Sequence, residues 1–232
     1  MISRREPDIV MKVTRFGAAA LAVAGVLFVL YPALRPFSDE ATMQGAAAFA
    51  STGWIVSHVF AILGFILMML GVFGLYILLQ GSSVERLAYR GMLISWIGTG
   101  LTLPFYGAEV FSLNAIGREA MNQQNVQLIS LANAVRFGPG FVMITAGLIL
   151  LGLGTALMAA AIWKSRLITK WSGIPFALGF LLYLPQYMGS QPIRVAHGLL
   201  ITVGCLWMAV TMWRRQRAGP PRPVSHQRLQ PK

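Results

Sequence analysis

Six long runs of apolar residues are the feature that most constrains how this chain can fold. Each run is close to or above the roughly 18–20 residues that an α-helix needs to cross about 30 Å of hydrocarbon. Within lipid the backbone must satisfy its own hydrogen bonds, and continuous apolar runs without two-residue alternation favour helices over a β-barrel. The sequence therefore predicts an all-α, polytopic membrane bundle of six transmembrane helices. The predicted spans are 16–34, 53–79, 91–116, 141–163, 172–189 and 195–213.

The composition agrees with this prediction. Hydrophobic residues make up 56% of the chain and charged residues 11%, whereas a soluble domain carries about 25% charged residues. One soluble core does not bury so many apolar side chains. The first run is not followed by a small-x-small cleavage site, so we expect it to be an uncleaved span rather than a signal peptide.

The basic residues alternate between the segments that join the spans. Fifteen of the 19 Lys and Arg residues lie in four segments. These are the N-terminal segment, the loop between the second and third spans, the loop between the fourth and fifth spans, and the C-terminal segment. By the positive-inside rule, both termini are cytoplasmic and the protein is a multi-pass protein of the cell membrane. The net charge of +12 therefore reflects topology, and we expect the lipid bilayer rather than nucleic acid as the partner. The transmembrane domain should cover 1–213, followed by a basic, Pro-rich and disordered cytoplasmic tail at 214–232.

One outer segment, 117–140, has its own helical signal. Val126, Ile129, Ala132 and Val135 recur near helical spacing between polar residues, and Gly138-Pro139-Gly140 then interrupts the chain. This pattern predicts a short amphipathic helix on the outer surface between the third and fourth spans, covering the outer ends of the spans.

The polar residues of the spans concentrate at their predicted outer ends. In the third span Ser95, Thr99, Thr102, Tyr106 and Glu109 form one helical stripe that should face other helices. A buried carboxylate needs a partner. We therefore predict that Glu109 lies within hydrogen-bonding or one-water reach of a histidine. The candidate partners at the same depth are His58, His197, Arg136 and Arg194.

These residues suggest a pocket with aromatic walls in the outer third of the bilayer, which could bind a small molecule. Its candidate ligand-binding residues are Glu109, Tyr106, Tyr187, Gln186, Trp54, Arg136 and Arg194. Tyr106 and Tyr187 end the same pattern, Leu-Pro-x-Tyr, in the third and fifth spans.

Other interpretations remain open. His58 and His197 could ligate a b-type haem for electron transfer, or, with Glu109, a divalent metal. The protein could also be an accessory or scaffold protein without chemistry, since no known catalytic motif is present. Whether it is an enzyme, and its oligomeric state, are left open by these patterns.

Three segments carry a resemblance to known proteins: "VLYPALRPFSDE", "LPFYGAEVFSLNAIG" and "LYLPQYMGSQPIRVAHG". With them, most of the chain resembles a group of bacterial six-span integral membrane proteins of unknown function. The resemblance implies the six-span topology and no activity.

Overall fold

The computed structural model describes residues 5–217, and every regular element within that range is helical. This confirms the predicted all-α class. Three short 3₁₀ turns at Val126–Ile129, Lys170–Ser172 and Pro185–Met188 join some of the helices. The eight α-helices are α1 (Arg5–Leu34), α2 (Met43–Ala50), α3 (Thr52–Leu79), α4 (Glu85–Gln123), α5 (Ser130–Phe137), α6 (Pro139–Ser165), α7 (Gly173–Leu181) and α8 (Gln191–Arg217).

Four helical segments are long and apolar enough to cross a membrane: Asp8–Leu34, Thr52–Leu79, Pro139–Ser165 and Gln191–Gln216. They contain the first, second, fourth and sixth predicted spans. By length and composition, the chain is therefore a helical membrane protein.

The third predicted span lies within α4, which has 39 residues and is about 58 Å long at 1.5 Å per residue. Glycine, serine and threonine residues make it less apolar than the other four. The predicted stripe from Ser95 to Glu109 is buried, as expected for residues that face other helices.

The fifth predicted span, 172–189, does not form one continuous helix. Helix α7 has only nine residues, and the chain continues through a turn into the 3₁₀ segment Pro185–Met188. Proline has no N–H to donate to the preceding turn, and its ring clashes with the carbonyl four residues earlier. Pro185 therefore favours a break at this position, although α4 continues through Pro104.

Six helices form a closed ring in the order α1, α3, α4, α6, α7 and α8, with α8 packing back on α1. Sequential helices are thus neighbours throughout. Aromatic side chains from α1, α3 and α7 meet inside the ring. Phe28 lies edge-on to Phe65 and Phe180, with ring centroids 5.0 Å and 5.5 Å apart, the arrangement that aromatic quadrupoles favour.

Two pairs of ring helices approach closely at glycine. A Cβ atom on Gly17 of α1 would lie 2.8 Å from the Cα of Gly74 in α3. One on Gly98 of α4 would lie 2.6 Å from the carbonyl oxygen of Gly147 in α6. Both separations are shorter than real Cβ contacts, so only glycine permits these helices to pack at this distance, as small residues do in membrane interfaces.

The short helices α2 and α5 pack against α4. Helix α5 and the 3₁₀ turn before it occupy the segment of the predicted amphipathic helix. Of its predicted apolar face, Ile129 and Ala132 are buried, whereas Val126 is 43% exposed. Ile129 and Ala132 pack with Phe49 of α2, an alanine-rich helix absent from the predictions, and with Trp54.

Helix α8 continues to Arg217, so the first four residues of the predicted tail are helical. The rest of that tail lies outside the described residues, and its predicted disorder is untested.

Candidate functional site

Glu109 is held between α3 and α4 by contacts to its backbone as well as its side chain. The indole Nε1–H of Trp54 donates to the Glu109 carbonyl at 2.8 Å. One turn along α3, His58 places Nδ1 2.7 Å from the carbonyl oxygen of Trp54. A carbonyl only accepts, so Nδ1 carries the proton. His58 Nε2 then lies 3.8 Å from Glu109 Oε2, beyond a direct hydrogen bond but within the predicted one-water reach.

The direct partner of Glu109 is Arg136. Its Nε and Nη2 donate to the two carboxylate oxygens at 2.6 Å and 3.0 Å, the bidentate geometry that matches guanidinium to carboxylate. Arg136 lies in the last turn of α5, so this pair ties the short helix to α4. The pair is largely buried, with the Glu109 side chain 10% and the Arg136 side chain 19% exposed.

The ion pair extends into a chain of four alternating charges. Arg136 Nη1 also donates to Glu40, and Glu40 Oε1 accepts from Arg35 Nη2 at 2.7 Å. Arg35 lies just beyond the end of α1, and its guanidinium is 4.7 Å from the Trp54 ring. Two arginines and two glutamates therefore neutralise one another and connect α1, α4 and α5.

Two members of the charge chain that lie outside the spans, Glu40 and Arg136, have shifted pKa values. Burial alone would raise the pKa of Glu40, but Arg136 and Arg35 outweigh it and hold that pKa below its ordinary value of 4.5. Burial would lower the pKa of Arg136, but its bonds to Glu109 and the charge of Glu40 raise it above the ordinary value. Glu40 and Arg136 are thus both ionised at neutral pH.

Three tyrosines meet beside this network. The Tyr106 hydroxyl lies 2.9 Å from the Tyr183 hydroxyl and 2.8 Å from the Tyr187 hydroxyl. Tyr106 and Tyr187, the last residues of the two Leu-Pro-x-Tyr patterns, are therefore bonded directly. The three hydroxyls carry three protons, and their two mutual bonds use two of them, so one O–H remains to donate to a further polar group.

A cavity of about 920 Å³ opens next to the tyrosines and the charge chain. This volume is near the upper end of the roughly 300–1,000 Å³ typical of ligand sites. Five of the predicted binding residues line it: Tyr106, Glu109, Arg136, Tyr187 and Arg194. Most of the wall is aromatic or aliphatic: Tyr31, Phe37, Phe105, Phe137, Phe141, Ile144, Leu184, Pro185 and Met188.

Four predicted site residues do not line this cavity. Trp54 is fully buried behind Glu109 and supports it. Gln186 is buried in the 3₁₀ turn. His58 lies behind Glu109, and His197 places Nε2 2.6 Å from the carbonyl oxygen of Gly179. The two histidines, although at similar predicted depth, bond to different helices.

The structure does not assemble the predicted metal set of His58, His197 and Glu109. Within residues 5–217, no three His, Cys, Asp or Glu side chains are grouped closely enough to hold a metal ion. The haem interpretation stays a prediction: neither histidine lines the cavity, and each ring bonds to a backbone carbonyl through one nitrogen. The predicted depth along a span indicates how far in each histidine lies, but not which residues surround it.

The sequence prediction missed several lining residues from the segment after α1. The patterns used above identify neither Arg35 nor Glu40, yet both belong to the charge chain. The available signal was "LRPFSDE", in which opposite charges stand five residues apart beside a proline. Phe137 and Phe141 flank the predicted break at Gly138 and were likewise not identified.

A scan against protein-family models, a search of curated proteins and a search of solved structures each found no significant match. Function is therefore argued from the site alone.

Proposed function

We propose that this protein binds a small amphipathic molecule in the cavity between the ring helices. The observation that carries the proposal is the cavity itself, which combines an aromatic and aliphatic wall with a fixed set of polar groups at one side. Binding sites for small molecules have this composition, because apolar contact supplies affinity and a few polar groups fix orientation.

The proposal includes the topology that charge distribution predicts. The ring is completed by α4 and by the α7 segment, so we place six crossings in the cell membrane with both termini in the cytoplasm. The cavity is lined from the C-terminal end of α1, the N-terminal ends of α6 and α8, and the later half of α4. With this topology all of these lie on the outer side, and the ligand is exchanged with the outer leaflet or the external medium.

Photolabelling tests the binding site. The protein is reconstituted in phosphatidylcholine nanodiscs with a diazirine-bearing dodecanol, a neutral amphiphile, and labelled residues are mapped by mass spectrometry. We expect saturable labelling of cavity residues such as Phe105 and Phe141, blocked by excess unlabelled dodecanol. Thr145→Trp should weaken the saturable binding because the indole takes up part of the cavity.

The matched control is Leu153→Trp on the same helix, where the native side chain is exposed and does not line the cavity. It should label like the wild type. Saturable labelling with wild-type affinity in Thr145→Trp, or labelling that maps only to side chains outside the cavity, would contradict the proposal.

A further inference from the structure

Arg194 lines the cavity but does not belong to the charge chain. We propose that the cavity recognises an anionic amphiphile, with a carboxylate or phosphate headgroup bound at Arg194 and an apolar chain along the aromatic wall. This inference rests on the proposed function and specifies the chemical class of its ligand.

The three arginines that line the cavity differ in their partners. Arg35 and Arg136 each form an ion pair with a glutamate. Arg194 instead donates to two backbone carbonyls, from Nε to Gly189 at 2.9 Å and from Nη2 to Tyr187 at 2.5 Å. It forms no salt bridge with a carboxylate among the described residues.

These two bonds hold the guanidinium in place without neutralising it. A guanidinium has five N–H donors, so both N–H groups of Nη1 and one of Nη2 remain for a ligand. The ring of Phe37 lies 5.5 Å from the guanidinium carbon, and that of Tyr187 lies 5.8 Å away. A half-buried cation fixed against aromatic rings, with its outer edge free, is suited to bind a carboxylate or phosphate.

No carboxylate of the cavity wall forms an ion pair with Arg194 among the described residues. Asp39 lines the cavity, but its side chain accepts from the N–H of Ala41 at 3.0 Å and the residue is exposed. The other two carboxylates, Glu40 and Glu109, are bound by Arg136 and Arg35. An incoming anion therefore meets one arginine without a counter-ion and two that are already paired.

The apolar part of the cavity reaches the protein surface. Met188, Phe137 and Phe141 line the cavity and are 95%, 71% and 46% exposed. Exposed apolar side chains of this size mark contact with lipid or ligand. The headgroup site and this apolar rim belong to the same cavity, so a molecule with one charged end and one chain fits better than an inorganic ion.

Competition against the neutral photoprobe tests the headgroup. The competitors are dodecanoate, dodecyl phosphate, dodecanol and inorganic phosphate, and each amphiphile concentration is corrected for its partition into empty nanodiscs. For the wild type we expect both anionic amphiphiles to compete at least about tenfold better than dodecanol, as a charge-assisted hydrogen bond implies. Inorganic phosphate should not compete.

Arg194→Gln should reduce this anion preference to about one while dodecanol still competes. Arg194→Lys, which retains the charge, should keep most of it. The matched control is Arg118→Gln, which removes an exposed arginine from α4 outside the cavity and should leave the preference unchanged. Size-exclusion chromatography and circular dichroism establish that each variant is folded.

The results separate the two proposals. Weaker saturable probe binding in Thr145→Trp, together with an unchanged anion preference in Arg194→Gln, would leave the cavity proposal intact and overturn the headgroup assignment. A wild type that shows no preference for anions would overturn it as well, even if Arg194→Gln does not fold. Competition by inorganic phosphate as strong as that by dodecyl phosphate would replace the amphiphile with a free anion.

Discussion

At the scale of single residues, Arg136 connects the parts of the site. It binds Glu109 through two N–H groups and Glu40 through a third, so one side chain from α5 neutralises carboxylates on α4 and on the segment after α1. Removing one member of a buried pair leaves the other charge without a partner, which costs more than the pair itself contributes.

A double-mutant cycle on this pair has a defined expectation. Glu109→Gln and Arg136→Gln should each lower the free energy of unfolding by about 1–3 kcal/mol. The double variant should lose about 0.5–3 kcal/mol less than the sum of the two, since the residues interact directly. Unfolding in mixed detergent micelles measures all three. Glu119→Gln, an exposed glutamate on the same helix, is the control and should change stability by under about 0.5 kcal/mol.

Glu40 makes the stability of this network dependent on pH. Its pKa in the folded protein lies below the ordinary value of 4.5 because Arg136 and Arg35 outweigh the effect of burial. Its ionised form therefore stabilises the fold above pH 4.5, and this contribution is lost as the pH falls through the folded-state pKa. The difference in Tm between the wild type and Glu40→Gln should be largest near pH 7 and shrink at pH 4 and below. A difference that stays constant over this range would contradict the assignment.

At the scale of helices, close packing at glycine determines how the ring is assembled. Gly98 and Gly100 are two residues apart on α4. They therefore point to different sides of the helix and have different surroundings. A Cβ on Gly98 would lie 2.5 Å from the backbone nitrogen of Leu151, whereas one on Gly100 would meet nothing within 4 Å.

Alanine at these two positions should therefore have opposite effects. Gly98→Ala should destabilise the protein by about 1–3 kcal/mol, since α4 and α6 must separate to admit the methyl group. Gly100→Ala should be neutral or stabilising by up to about 1 kcal/mol, because alanine favours the helix. Thermal unfolding in detergent, followed by circular dichroism, distinguishes the two. Equal effects would mean that α4 and α6 do not pack in the described register.

The helices also show how far sequence patterns reach. Long apolar runs located α1, α3, α6 and α8, because a span in lipid needs both length and continuous apolarity. The buried stripe of α4 followed from helical spacing. The break after α7 could not be predicted from Pro185 alone, because membrane helices tolerate proline when other groups satisfy the backbone. Helix α2 is too short and too uniform in alanine to show a period.

The candidate site was predictable in part for the same reason. Depth along each span grouped Glu109 with Arg136 and His58, and these do meet. Depth does not say which helices are neighbours, so His197 was placed with His58 although it bonds to Gly179 of α7. The Arg35–Glu40 pair lies in an irregular segment between α1 and α2. Such a segment has no helical periodicity from which the contact could be predicted.

At the scale of the whole molecule, the proposed topology requires opposite loops to face opposite sides of the membrane. The chain has a single cysteine, Cys205, which is buried, so a Cys205→Ser background permits site-directed labelling. In intact cells, a membrane-impermeant maleimide should label Asn122→Cys beyond the outer end of the third span. It should label Ser83→Cys, between α3 and α4, only after permeabilisation. Both native residues are exposed, and the reverse pattern would invert the topology.

The cavity is where the helices, the charge chain and the tyrosine cluster meet, and we propose that a ligand binds there. Native mass spectrometry of the protein purified from its own membrane tests for that ligand. We predict a bound low-mass adduct on the wild type and on Leu153→Trp, and a lower occupancy on Thr145→Trp, because the indole takes up part of the cavity. The same adduct on all three proteins at equal occupancy would contradict ligand binding in the cavity.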